Sequence, residues 1–229
     1  EYTVEAGRPD TITRQKLKII KKFDVNRISI NPQTMNQKTL DLIGRQHSVE
    51  DILDKFYMAR EEQHNNINMD IILGLPKENE KDVENTWNML QKLDPDSITV
   101  HNLAIKRASR LKEEFENYSL TDTNIIENML DISYSNAVKM GMKPYYMYRQ
   151  KNMVGSFENL GYAKPGKESI YNIEIMEETQ TILGAGAGAT TKIVNNETKN
   201  IERVFNVKNV DDYINRIDEM IQRKKDGII

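Results

Sequence analysis

Hydrophobic positions along the first two-thirds of the chain alternate between two spacings. Compact runs of apolar and β-branched residues lie at Tyr2 to Glu5, Asn26 to Gln33, Ile67 to Pro76, Ser97 to Ala104 and Pro144 to Arg149. Between them, apolar residues recur every three or four positions. The first spacing predicts strands and the second amphipathic helices. Leu17, Ile20 and Phe23 mark a helix opened by Asp10 to Thr13, and Ile52, Phe56 and Ala59 mark one opened by the capping-box pair Ser48 and Asp51. Val83, Trp87 and Leu90 mark a third over 81–93, with Trp87 read as core packing. Ile125, Met129 and Ile132 mark a fourth over 121–140, with Gly141 as its C-terminal cap. Strand, helix and strand in succession predict an α/β fold: a parallel sheet with right-handed crossovers. Five units fall short of a closed eight-strand barrel. The pattern therefore predicts a partial parallel (β/α) barrel over residues 1–150, either open or lacking its first strands.

The rhythm stops after residue 150, and 151–229 reads as an extension packed on the barrel. Gln150 to Gly166 reads as loop, and Tyr171 to Thr181 as a strand or short helix. Lys192 to Val194 and Ile201 to Val207 read as a hairpin around Asn195 and Asn196, followed by one closing helix over Val210 to Arg223. The glycine-rich stretch Ile182 to Thr191 lacks the Lys-Ser/Thr ending of a phosphate-binding loop and a following helix pattern. Its small residues suit close packing against another strand or a flat ligand.

Polar residues inside the strand patterns carry the candidate chemistry. Asp70 interrupts a run that is apolar on both faces, as a doubly covered parallel strand is. A buried carboxylate there costs several kcal/mol unless it is paired, hydrogen-bonded or engaged by a ligand. Gly74-Leu75-Pro76 ends the strand, so Asp70 lies toward its C-terminal end, where α/β barrels hold their chemistry. Glu5 occupies the same place in the first strand. Ser29 and Asn31 face away from Ile28 and Ile30. Arg45, in Gly44-Arg45-Gln46-His47, suits a forked grip on a carboxylate. A salt bridge, a wet strand face and a surface arginine are the plainer readings of these residues.

Composition removes several alternatives. The net charge of −3 gives no basic surface for nucleic acid. No apolar run approaches the roughly 20 residues of a membrane span. The chain has no cysteine, so these residues supply no disulfide, thiolate nucleophile or iron–sulfur ligand. Its three histidines, His47, His64 and His101, are not spaced as a local metal motif.

Five segments carry a resemblance when taken in order: Glu5-Ala6-Gly7-Arg8-Pro9, Asn26 to Thr34, Gly44-Arg45-Gln46-His47, Asn68 to Pro76, and Leu183 to Ala189. Together they resemble the oxygen-independent coproporphyrinogen III oxidase family of radical SAM enzymes. Tyr148 to Met153 and Glu158 to Tyr162 are similar to its HemZ-like, coproporphyrinogen dehydrogenase-like branch. The resemblance implies a partial barrel of the radical SAM type with a C-terminal sheet, hairpin and helix extension. It implies S-adenosylmethionine as cofactor, with Glu5 contacting it, Gln33 and Asp70 on its ribose hydroxyls, Arg45 on its carboxylate, and Ile72 and Ala104 beside its adenine. It further implies that a reduced [4Fe–4S] cluster cleaves this cofactor to a 5′-deoxyadenosyl radical. That radical takes hydrogen from a porphyrinogen propionate, which loses carbon dioxide and an electron to become a vinyl group.

The family's three-cysteine cluster motif has no counterpart in this chain. The expectation is therefore a C-terminal portion of such an enzyme, without metal ligands or catalytic residues of its own and inactive alone. The resemblance implies an anionic, porphyrinogen-like substrate, an electron donor and a cytoplasmic setting. Lys106, Arg107, Arg110, Arg149 and Lys151 are candidates to meet propionates. The competing readings are a heme carrier of the same superfamily, with His101 on the iron, and an unrelated α/β barrel enzyme.

Overall fold

The computed structural model describes residues 1–103, 122–149, 157–195, 197–198 and 200–228. They form two compact units, Glu1–Ser169 and Ile170–Ile229.

The first unit is built on a six-stranded sheet. Its strands are β1 (Thr3–Gly7), β2 (Arg27–Ile30), β3 (Ile67–Leu73), β4 (Ser97–Asn102), β5 (Lys143–Tyr148) and β6 (Asn159–Ala163), in the order β1-β2-β3-β4-β6-β5. β1 to β4 run parallel, joined by α1 (Arg14–Lys22), α2 (Gln37–Leu42) with α3 (Val49–Glu61), and α4 (Glu80–Leu93). α5 (Thr123–Lys139) precedes β5.

Local sequence sets the helix ends. Thr13 Oγ1 accepts from the Lys16 amide (3.2 Å) to start α1. Ser48 and Asp51 form the expected capping box. Asn79 and Asp82 form a second one on α4, which the periodicity of its apolar residues did not reveal. Gly141 follows α5 with φ +73°, the left-handed turn that a glycine C-cap provides.

One sheet face is apolar. Ile28 and Ile30, then Ile67, Met69, Ile71 and Leu73, then Ile98 and Val100 pack against Leu17, Ile52, Phe56, Val83, Trp87, Leu90 and Met129 of the helices. Each such side chain contributes roughly 1.5–3 kcal/mol on burial. Trp87 lies in this core as expected, and its indole N–H donates to Ser133 Oγ at 3.0 Å.

β6 corrects the expectation of a loop over Gln150 to Gly166. It lies between β4 and β5 and runs antiparallel to both, so β5 is not β4's neighbour and the sheet is mixed. β6 also falls inside the first unit, although residues 151–229 were read as an extension. Its period-2 pattern was hidden because the positions opposite Leu160 and Tyr162 hold Asn159, Gly161 and Ala163. Gly161 read as a strand breaker, yet a Cβ there would run into the Tyr146 ring on β5. The glycine lets that ring lie flat over β6.

The second unit contains α6 (Ile170–Glu177), the antiparallel hairpin β7 (Thr190–Val194) and β8 (Ile201–Phe205), then α7 (Val210–Asn215) and α8 (Ile217–Ile228). The hairpin is as expected, but the single closing helix is two, divided at Arg216. The glycine-rich stretch packs against a strand: a Cβ on Gly184 would meet the Thr190 backbone at 2.6 Å. Asn206 Nδ2 donates to the Gly186 carbonyl (2.8 Å) and the Tyr213 hydroxyl accepts from the Gly186 amide (3.0 Å). Asn206 and Tyr213, from beyond the hairpin, thus occupy the backbone groups of Gly186.

Gly161→Ala will force the Tyr146 ring off β6 and lower stability by roughly 1–3 kcal/mol. A urea titration reads this as a lower midpoint at unchanged slope, and an unchanged midpoint would show that the ring moves aside without cost.

Candidate functional site

The other sheet face carries the polar strand residues. Alternation along the strands puts Glu5 of β1, Arg27 and Ser29 of β2, Asn68 and Asp70 of β3, and Ser97, Thr99 and His101 of β4 on this side. The parallel register sets Glu5 opposite Ser29, Ser29 opposite Asn68, Asn68 opposite Ser97 and Asp70 opposite Thr99.

Asn68 is buried and ties this face together. Its Nδ2 donates to Asp70 Oδ1 (2.7 Å) and Ser29 Oγ (3.1 Å). Its Oδ1 accepts from Ser97 Oγ (3.0 Å) and Thr99 Oγ1 (3.3 Å). Ser29 Oγ in turn donates to Asn31 Oδ1 at 2.5 Å. From the far side, Tyr146 bonds Thr99, and burial raises its phenol pKa.

Glu5 and Asp70 meet here as the sequence suggested. The Glu5 carboxyl lies among protein groups although the residue keeps solvent access. That packing, and next the like charge of Asp70, raise its pKa above 4.5, against the opposing pull of Arg27, Ser29 and Asn31. Arg27 is only 3% exposed, and its guanidinium donates to Ser97 Oγ at 3.5 Å. It is a buried cation under the acid pair that pattern reasoning missed, because Arg27 reads as the first residue of a strand.

Gln33 joins through its backbone. Its amide donates to the Asp70 carbonyl (3.0 Å) and its carbonyl accepts from the Ile72 amide (2.8 Å). It does so at φ +70°, a left-handed conformation that costs a non-glycine residue about 1 kcal/mol or more and concentrates at functional sites. Ile72 sits opposite His101 in the register.

Arg45 belongs to a second neighbourhood. It is half-buried, which lowers its pKa first through lost hydration and then through the charge of Arg8, with Asp10 opposing. Among the described residues its guanidinium makes no hydrogen bond or ion pair. Arg8 grips Asp10 (3.0 and 2.6 Å), and the buried His47 lies 3.8 Å from Asp10. Arg149 pairs with Glu158 at 2.5 Å. Ala104, Lys106, Arg107, Arg110 and Lys151 lie outside the described residues.

Behind the rim, a buried polar cluster braces the loop that carries Gln33. Glu78, 7% exposed, accepts from Thr34 Oγ1 (2.6 Å) and Asn36 Nδ2 (3.0 Å). Asn36 Nδ2 also donates to the Asp82 carbonyl (2.9 Å). Sequence gave no signal for this brace, because Glu78 follows a Gly-Leu-Pro turn that reads as solvated.

The donor set suits a polyhydroxylated ligand. Paired carboxylates accept hydroxyl hydrogens, the Asn31 amide both donates and accepts, and Arg45 offers a cation. The chain does not suit an iron–sulfur cluster. It has no cysteine, and no group of three or more metal-ligating side chains occurs among the described residues. No helix among the described residues is long and apolar enough to cross a membrane.

The chain is similar in sequence and fold to known proteins. The radical SAM superfamily profile matches residues 2–90. The chain is 45% identical to the oxygen-independent coproporphyrinogen-III oxidase-like protein HemZ of Bacillus subtilis, over 98% of this chain and 45% of that protein. It is 30% identical to the heme chaperone HemW of the same organism, over 88% of this chain and 50% of that one. The coproporphyrinogen III oxidase HemN from Escherichia coli, a radical SAM enzyme, has the same fold, with a TM-score of 0.70 at 21% identity over 96% of this chain and 49% of that one. The chain spans about half the length of the curated relatives it matches.

Desolvation of Glu78 outweighs its hydrogen bonds and raises its pKa above 4.5, so folding favours the protonated acid. That contribution is complete below 4.5 and is lost as pH rises through the raised native value. Glu78→Gln, which stays neutral, will therefore gain stability over wild type as pH climbs from 4.5 through the raised native value. Urea midpoints at stepped pH check this; parallel pH profiles for the two proteins would show that Glu78 titrates normally.

Proposed function

We propose, from the premise that the chain belongs to the radical SAM superfamily, that these residues form the S-adenosylmethionine-binding part of an oxidoreductase acting on the propionates of a porphyrinogen-like substrate in the cytoplasm. The observation that carries this reading is the meeting of Glu5 and Asp70 on a polar sheet face, with Gln33 strapped by its backbone to the strand that holds Asp70. The family match, and the likeness to a coproporphyrinogen-III oxidase-like protein, support the reaction class.

In this reading Asp70 accepts the ribose hydroxyls, with the Gln33 side chain beside it. Glu5, with Asn31, receives the polar end of the methionine portion, with the Arg27 charge partly offsetting the burial and the Asp70 charge that raise its pKa. Arg45 forks onto the methionine carboxylate. Ile72 gives the adenine an apolar wall, and Ala104 completes it. When bound, S-adenosylmethionine supplies the adenosyl species that abstracts hydrogen from substrate. The chain's own part is to bind and orient that cofactor and to keep it beside the polar face. These residues offer no thiolate to a cluster.

The likeness to a heme chaperone favours a second reading, in which the same fold carries heme without turnover. Products separate the two. With coproporphyrinogen III, S-adenosylmethionine and a reductant, the cellular protein bearing these residues forms a vinyl-bearing porphyrinogen in the first reading and retains heme without product in the second.

Titration of the 229-residue chain with S-adenosylhomocysteine will show binding, and Glu5→Gln and Asp70→Asn will each weaken it by about tenfold, the loss of one charge-assisted hydrogen bond. Equal affinity in wild type and both variants sinks the assignment. Iron and sulfide reconstitution of the same chain is expected to leave no cluster absorbance, because it offers no thiolate.

A further inference from the structure

Three side chains from three strands line up along the polar face. Asp70 Oδ1 is taken by Asn68 Nδ2 at 2.7 Å. Its Oδ2 faces His101 Nε2 at 3.6 Å. The other His101 nitrogen, Nδ1, lies 3.1 Å from the Tyr148 hydroxyl. Tyr148 is held in turn by the Tyr146 ring, stacked on it at 5.9 Å and 4° between planes.

The contact between Tyr148 and His101 allows two senses, and one of them aims an imidazole N–H at Asp70. In that sense the neutral tyrosine hydroxyl donates to an unprotonated imidazole nitrogen, which places the imidazole hydrogen on the opposite nitrogen. His101 then carries its N–H on Nε2, aimed at Asp70 Oδ2. At 3.6 Å that contact is longer than a hydrogen bond, and a small rotation of the carboxylate closes it. Among the described residues, the other charged or titratable groups on this face are Glu5 on β1, Arg27 on β2 and Tyr146 on β5.

We propose that His101 is a positioning residue for Asp70: with its tautomer fixed by Tyr148, it turns the carboxylate so that both oxygens meet the vicinal hydroxyls of a nucleoside ribose. This rests on Asp70 being the diol acceptor. Asn68 alone anchors one oxygen and leaves the carboxylate free to swing about its final bond. A donor on the second oxygen fixes that plane before the ligand arrives, which reduces the ordering cost of binding. His101 touches no part of the ligand and acts through Asp70.

The discriminating probes are adenosine and 2′-deoxyadenosine, which differ by one hydroxyl, titrated into the 229-residue chain by NMR. Wild type is expected to prefer adenosine by about tenfold, the worth of one hydrogen bond to a charged group. His101→Phe keeps a ring but no N–H, so the preference is expected to fall to about twofold while 2′-deoxyadenosine binds as before. His101→Gln, whose amide N–H reaches the same place as Nε2–H, restores it. Imidazole nitrogen shifts of His101 report the Nε2–H tautomer in wild type and its loss in Tyr148→Phe. A purely structural role would weaken both nucleosides equally in His101→Phe, and that result overturns the proposal. So does a wild-type preference that survives His101→Phe, which leaves Asp70 as the diol acceptor. Absence of any preference in wild type overturns the diol assignment itself and the positioning role with it.

Discussion

Asn68 is the amide on which the polar interior of the sheet depends. It sits 3% exposed in the middle strand of a parallel trio, where an unsatisfied amide costs roughly 1–3 kcal/mol. Every hydrogen-bonding direction it has is used: both donors on Nδ2 and two acceptances on Oδ1, shared among β2, β3 and β4. An aspartate there would set a buried carboxylate beside that of Asp70, and a leucine would remove the acceptor of Ser97 and Thr99 and the donor to Ser29 and Asp70. The interior tolerates charge at Glu5, Arg27 and Asp70 because this neutral hub leaves few polar atoms unpaired.

Legibility in the sequence followed the apolar face. Ile28, Ile30, Ile67, Met69, Ile71 and Leu73 announce their strands by alternation or by a continuous run, and the helices between them follow from Leu17, Phe56, Trp87 and Met129. The same alternation forces Glu5, Ser29, Asn68 and Asp70 onto one side, so the meeting of Glu5 and Asp70 was readable once the strands were parallel. Arg45 was readable as a cation but not as a neighbour of Arg8, because a loop position carries no register.

β6 was illegible for a physical reason. Its inward positions hold Asn159, Gly161 and Ala163, small residues that weaken both hydrophobicity and strand propensity. Their smallness is required by long-range packing, since the Tyr146 ring occupies the space over Gly161. Local sequence records the consequence, a glycine, without the cause, an aromatic ring from a strand fifteen residues earlier. Glu78 is the same kind of case. Its partners Thr34 and Asn36 lie more than forty residues away.

The insertion of β6 also explains how β5 serves the site at all. Adjacent strands are about 4.8 Å apart, so β5 stands roughly 10 Å from β4 across β6. A tyrosine is among the few side chains long enough to cross such a gap, and only if nothing rises between. Gly161 clears that path for Tyr146, which reaches Thr99, while Tyr148 reaches His101. An antiparallel strand of small residues thereby becomes a floor beneath two tyrosines. The chain of contacts from the edge strand to Asp70 depends on what β6 lacks as much as on what β4 and β5 carry.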